Sequence, residues 1–139
     1  MVKPLWEHLR QHHIEISTYF PERPLSLTFD SRIKEVIEKS KTGRVRTDMA
    51  RIVGTDKYIG YCISSISDKG EGEIESIFIE SGYRGQKVGD RLIRSALAWF
   101  EENKAANISI NVMYGNDKAL PFYAKYGFYP RSLILHRKL

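Results

Sequence analysis

"IESIFIESGYRGQKVGDRL", residues Ile74 to Leu92, joins an apolar run to the start of a long amphipathic pattern. Three glycines, at 82, 85 and 89, fall at the junction, with Arg84 and Lys87 among them. The first part predicts a strand over 73–79 and the second a helix over 88–103, with Leu92, Ile93, Ala96, Leu97 and Phe100 on one face. A helix N-terminus presents unpaired N–H groups and the positive end of the helix dipole, so it attracts phosphate. Glycines let the backbone approach an anion closely, and Arg84 and Lys87 add charge. Taken alone, the loop reads more readily as a solvated chain reversal than as a phosphate site. It matches neither the P-loop nor the dinucleotide-binding glycine pattern.

Working outward, "NISINVM" (107–113) predicts a strand parallel to 73–79 through a right-handed crossover. "NDKALPFYAKYG" (116–127) predicts a short helix and "FYPRSLILHRKL" (128–139) a final strand. Upstream, "RVRTDMARIV" and "YIGYCISSI" are separated by turn signals and form an antiparallel meander with 73–79. Two helices precede them. Residues 4–18 carry Leu5, Leu9, His12 and Ile16 at helical spacing after Pro4. The second helix runs from Ser31 to Lys41, with Asp30 or Ser31 as its cap, Ile33, Val36 and Ile37 inward, and Gly43 after its end. The order ααβββαβαβ predicts an α/β (α+β) fold, a mixed and mostly antiparallel sheet with flanking helices, as one domain over 1–139.

The 139 residues are 42% hydrophobic and 28% charged, ordinary for a globular domain. A single cysteine, Cys62, forms no internal disulfide and removes a multi-cysteine metal site, so a reducing, cytoplasmic setting is expected. No stretch approaches membrane-spanning length. Net charge is +5, but the 22 basic residues are interleaved with 17 acids. No zinc-finger spacing or RNA-binding aromatic signature accompanies them, which disfavours nucleic acid as a partner.

Together with the downstream stretch "NVMYGNDKALPFYAKYGF", the opening segment resembles the GNAT superfamily of acyl-CoA-dependent N-acetyltransferases. The family's pyrophosphate loop, [Q/R]-x-x-G-x-[G/A], is met by Arg84, Gly85, Gln86, Lys87, Val88 and Gly89, with Lys87 where glycine is usual. Its second motif is met by Asn116, Ala119, Phe122, Tyr123, Gly127 and Phe128. The likeness covers about 45–136, and the family's first strand has no counterpart. The resemblance implies acetyl-CoA as cosubstrate, no metal, and direct transfer to a primary amine on a small molecule or peptide. It also allows a homodimer.

It implies that the backbone at Ile77, Phe78 and Ile79 holds pantetheine and that the 84–89 loop holds pyrophosphate. Asn116 reads equally as a cofactor contact or a helix cap. Tyr123 is the expected general acid, with aromatic packing as its competitor. An amine must lose a proton to attack, and Glu75, on one strand face with Glu73, is the expected base, its pKa raised by partial desolvation. His12 and His13 are expected on the surface of the first helix, while Tyr19, Phe20 and Glu22 are placed to shape an acceptor pocket. Cys62 is expected to be a buried small hydrophobe. A CoA-binding protein without catalysis and a basic nucleic-acid-binding module stand as alternatives.

Overall fold

The computed structural model describes residues 1–20 and 22–138. Its elements are α1 (Val2–Ile16), α2 (Glu22–Ser26), α3 (Phe29–Thr42), β1 (Arg44–Arg51), β2 (Tyr58–Ile66), β3 (Glu71–Ile79), α4 (Val88–Glu102), β4 (Ala106–Ile110) and α5 (Ala119–Ala124). The sheet order is β1-β2-β3-β4, antiparallel except for the parallel β3–β4 pair. The mixed sheet and its flanking helices agree with the order read from the sequence. No strand precedes α1.

Period-2 alternation sends β2 side chains to opposite faces. Cys62 and Ile66 join Ile74, Leu92, Ile93, Ala96 and Phe100 in a core between the sheet and α4. Tyr61 and Ile63 join Leu5, Trp6, Val36 and Phe78 in a second core under α1 and α3. Full burial of Leu92, Ile93 and Phe100 stabilises the α4 side by about 1.5–3 kcal/mol each.

Helix α3 begins earlier than the sequence suggested. Thr28, not Asp30 or Ser31, is its cap, and Ser31 closes a reciprocal capping box with it. Ile37 lies half exposed rather than inward. The short α2, unforeseen between two prolines, buries Pro24.

The final strand is the main correction. Residues 128–138 carry no strand, and Tyr129, Leu133, Ile134 and Leu135 are exposed; Leu139 lies outside the described residues. Apolar, extended sequence makes a strand only when it has a partner edge. Here β4 is five residues long, Pro130 lacks an N–H, and the described chain does not rejoin the sheet after Ile110. His136 and Lys138 instead pack against the ring of Phe20.

Candidate active site

Strand β3 is paired with β4 only as far as Ile74, opposite Ile110. Beyond that point its outer edge has no strand partner, and a cleft of about 180 Å³ opens between β3 and the β4–α5 segment. Glu80 N–H donates to Ile59 C=O, and Phe78 stands opposite Tyr61. The alternation of an antiparallel ladder then pairs the main chain of Phe78 with β2 and turns that of Ile77 and Ile79 to the open edge. Of the three expected backbone contacts, two therefore face the cleft, and Phe78 does not. Arg84 Nε already donates to Ile79 C=O at 3.1 Å.

The loop between β3 and α4 owes its shape to two left-handed residues. Gly85 has φ 84° and Lys87 φ 63°. Lys87 thus takes up the conformation for which glycine is suited. Helix α4 has no side-chain cap, and among the described residues the N–H groups of Gly85, Gln86 and Lys87 have no protein acceptor. Val88, Gly89 and Asp90 fall in the first turn, where helical geometry offers no acceptor either. Six consecutive donors therefore stand at one helix end, an arrangement that suits an anion. Asp90 would oppose an anion there, but its carboxylate accepts from Tyr126 Oη and Arg94 Nε. These two bonds, the Tyr126 one foremost, hold its pKa below the usual range. Gly89 does not face the anion site. A Cβ there would lie 3.0 Å from Phe122 Cζ and 3.3 Å from Ile79 Cδ1. Its missing side chain lets α4 approach β3 and α5.

Tyr123 and Asn116 line the cleft from the α5 side. Among the described residues neither side chain makes a hydrogen bond within the protein. Asn116 is therefore not a cap for α5, whose N-cap is Lys118. Burial, with the nearby Cys62 thiol, pushes the Tyr123 phenol well above its ordinary pKa, so it stays protonated. Cys62 itself is fully buried, and burial raises its thiol to about 11.

Glu75 is different. It is the extra residue of a β-bulge, since Ile63 faces Ser76 and Ser64 faces Ile74. Its carboxylate has no exposed side-chain surface. It accepts from Lys39 Nζ at 2.7 Å, from Ser65 Oγ at 2.5 Å and from Arg32 at 3.1 Å. The same guanidinium donates at 2.7 Å to the carbonyl that the bulge leaves without a ladder partner. Burial pushes the acid's pKa up, but the bonds and charge of Lys39, with Ser65 and Arg32, outweigh it and hold the pKa below the ordinary value. This corrects the expected raised pKa: a carboxylate held in this way is a weaker base. Glu73 does share its strand face, 3.4 Å from Lys39.

Helix α1 supplies what the sequence reading missed. His13 lines the cleft rather than the outer surface, with Leu9 and Arg10. Burial, then the neighbouring His12, lowers its pKa to about 4. The only signal in the sequence was its position four residues after Leu9. Tyr19 stacks on Tyr114 at 5.9 Å between ring centroids, and neither they nor Phe20 and Glu22 are among the residues that line the cleft. Among the described residues no cluster of three metal-ligating side chains occurs, and no helix is long and apolar enough to cross a membrane.

Comparison with known proteins places this geometry. A putative [ribosomal protein bS18]-alanine N-acetyltransferase of Bacillus subtilis is 38% identical over 53% of this chain. That match spans 48% of the relative, so the chain covers about half its length. A putative acetyl transferase from Pyrococcus furiosus has the same fold, with a TM-score of 0.67 at 22% identity over 99% of this chain and 95% of that one. The aminoglycoside N-acetyltransferase AAC(6')-Iy, in complex with a CoA bisubstrate analogue, gives a TM-score of 0.63 at 18% identity over 99% and 93%. The model of the Acetyltransferase (GNAT) family matches residues 6–128, and this chain belongs to that family.

Proposed function

We propose that this protein transfers an acetyl group from acetyl-CoA directly to a primary amine. The observation that carries the reading is one arrangement: six free N–H donors at the head of α4 adjoin a strand edge that opens beside an unbonded phenol. The donors of Gly85 to Asp90, with the charges of Arg84 and Lys87, suit a pyrophosphate. The outward main chain of Ile77 and Ile79 suits the amides of pantetheine, and Asn116 is free to add a bond. An N–H on that edge polarises the thioester carbonyl as its oxygen gains charge.

The amine lone pair then attacks the carbonyl carbon, forming C–N. The C–S bond breaks with its electron pair passing to sulfur, and Tyr123 Oη supplies a proton to that thiolate. The phenol is protonated at every physiological pH, so it has a proton to give as the C–S bond breaks, and it regains one from solvent afterwards. The nitrogen's proton leaves through solvent in the cleft, since Glu75 is held by two cations. A lone buried thiol supports a reducing, cytoplasmic setting for the reaction.

Acetyl-CoA tests the reading. At roughly 100 times its dissociation constant a ligand stabilises the fold by about 2.7 kcal/mol. For a chain of this length that raises Tm by roughly 9 °C. Adenosine alone should do much less. No shift at saturating acetyl-CoA removes the proposal.

A further inference from the structure

We propose that the acceptor is the α-amino group of a peptide or amino acid whose first side chain is uncharged, and that polycationic amines and lysine side chains are excluded. This rests on the acetyl-transfer reading above and names the substrate class of the same cleft. Five residues with titratable or charged side chains line it: Arg10 and His13 from α1, Arg32 from α3, Glu75 from β3, whose carboxylate is itself covered, and Tyr123 from α5. Arg10 donates to the carbonyls of Leu25 and Leu27 at 2.7 and 2.9 Å, so its charge is fixed at the wall. Glu75 is the one carboxylate, and Arg32 and Lys39 already neutralise it. Outside the lining, the partly exposed Glu7 and Glu35 lie 3.9 Å from Arg10 and 3.2 Å from Arg32; the lining itself carries two guanidiniums against one carboxylate and no anion free to receive a second ammonium group. A like charge brought into a partly desolvated cleft is repelled more strongly than in water. The remaining wall, with Trp6, Leu9, Pro24, Leu27 and Met113, is apolar and fits an uncharged side chain.

The same inventory limits how the amine becomes neutral. Tyr123 keeps its proton, Glu75 is held as a carboxylate, and His13 is a weak base near 4. None can strip a strongly basic ammonium group at neutral pH. The acceptor must arrive neutral in a useful fraction. A peptide α-amine, with pKa about 7.7–8.0, does so at pH 7 some 200- to 400-fold more often than a lysine side chain at about 10.4.

The test uses a short peptide that begins with alanine, has a free amino terminus and carries one internal lysine. It is incubated with the protein and acetyl-CoA, and the acetyl position is read by mass spectrometry. A second arm offers neamine as a polycation. Expected are acetylation of the α-amine with a preference of at least about 100-fold in kcat/KM at pH 7, as the neutral fractions require. The pH profile should level off near 8, and neamine should not be turned over. Equal or better acetylation of the lysine or of neamine overturns the proposal, as does failure of α-amine peptides as a class. If acetyl-CoA still raises Tm in those cases, only the acceptor assignment has failed. If it does not, the acetyl-transfer reading has failed as well.

Discussion

The two walls of the cleft treat their polar groups in opposite ways. On the wall formed by α1, α3 and β3, Arg10, Arg32 and Glu75 are bonded within the protein, and the His13 ring is the exception among the described residues. On the β4–α5 wall, Tyr123 Oη and the Asn116 amide have no partner among the described residues, and at the head of α4 six N–H groups likewise stand free. Buried or half-buried polar groups are normally bonded, so groups left free at a cleft are where a ligand completes the count. Bonded groups build shape and field instead. The difference assigns stability to one wall and chemistry to the other.

Exchanging Tyr123 for phenylalanine attacks the chemical wall. Packing against Phe122 and Phe128 is kept, since only the hydroxyl is lost. The expected outcome is a fall in kcat of about 100- to 10,000-fold, the span of general acid–base groups. Acetyl-CoA affinity and Tm should hardly move. Full kcat in Tyr123→Phe would make the residue a packing aromatic and leave water to protonate the thiolate.

Glu75→Gln attacks the other wall and should give the reverse pattern. Gln keeps the shape but removes the buried counter-charge, leaving Arg32 and Lys39 only the more exposed Glu35 and Glu73, a loss of about 1.5–3 kcal/mol for bonds to charged groups. Lys39 can swing into water, which favours the lower end of that range. The pH dependence has a definite sign. Glu75 has a depressed pKa in the folded state, so its stabilisation is complete above the unfolded value and is lost as pH falls through the folded one. The gap in stability between parent and variant should therefore close in acid, below the ordinary carboxylate range. Denaturant melts at pH 7 and pH 3 measure it. A variant with unchanged stability but a pH–rate profile displaced upward would restore Glu75 as the base.

This contrast also marks what the sequence could tell. Strand, loop and helix in 74–92 were legible because period, glycine placement and charge all act locally. So was the second motif, whose aromatic residues are adjacent in the chain. The bulge at Glu75 was not legible, because it exists only through β2 register and through Arg32 and Lys39, some forty residues upstream. Glu75 does belong to the cleft, but its carboxylate is paired and covered there. His13 was missed because a helix pattern shows which residues lie together, not what packs over them. The tail from 128 carried strand propensity without an edge to pair with, a condition no local pattern contains.

The loop offers a finer test of the division. Gly89 belongs to the motif implied to hold pyrophosphate, but in Gly89→Val the added Cβ meets Phe122 and Ile79 in the core. The expected outcome is overpacking, about 1–3 kcal/mol of lost stability. Acetyl-CoA affinity should fall only as far as α4 shifts. A large affinity loss with parental Tm would return Gly89 to the phosphate-facing side.

Lys87→Gly carries the smallest expected effect and divides the loop's backbone from its charge. A non-glycine residue in the left-handed region costs roughly 1–2 kcal/mol. Glycine removes that cost but gives the unfolded chain more freedom, worth about 0.4–1 kcal/mol in the other direction. The first term is the larger, so the variant should be more stable by about 0.5 kcal/mol. The ammonium is lost as well, but an exposed charge contributes only about 0–1 kcal/mol to a pair. The donors of Gly85 to Asp90 remain in place, and the loop no longer holds a strained residue. Acetyl-CoA affinity should therefore weaken by less than about fivefold, within that 1 kcal/mol. Titration calorimetry at two ionic strengths separates the contributions, since a charge effect shrinks with salt and a backbone effect does not. A loss of more than tenfold that vanishes at high salt would mean that Lys87, rather than the row of N–H groups, holds the phosphate, and the backbone of this loop would then belong with the shape-building wall.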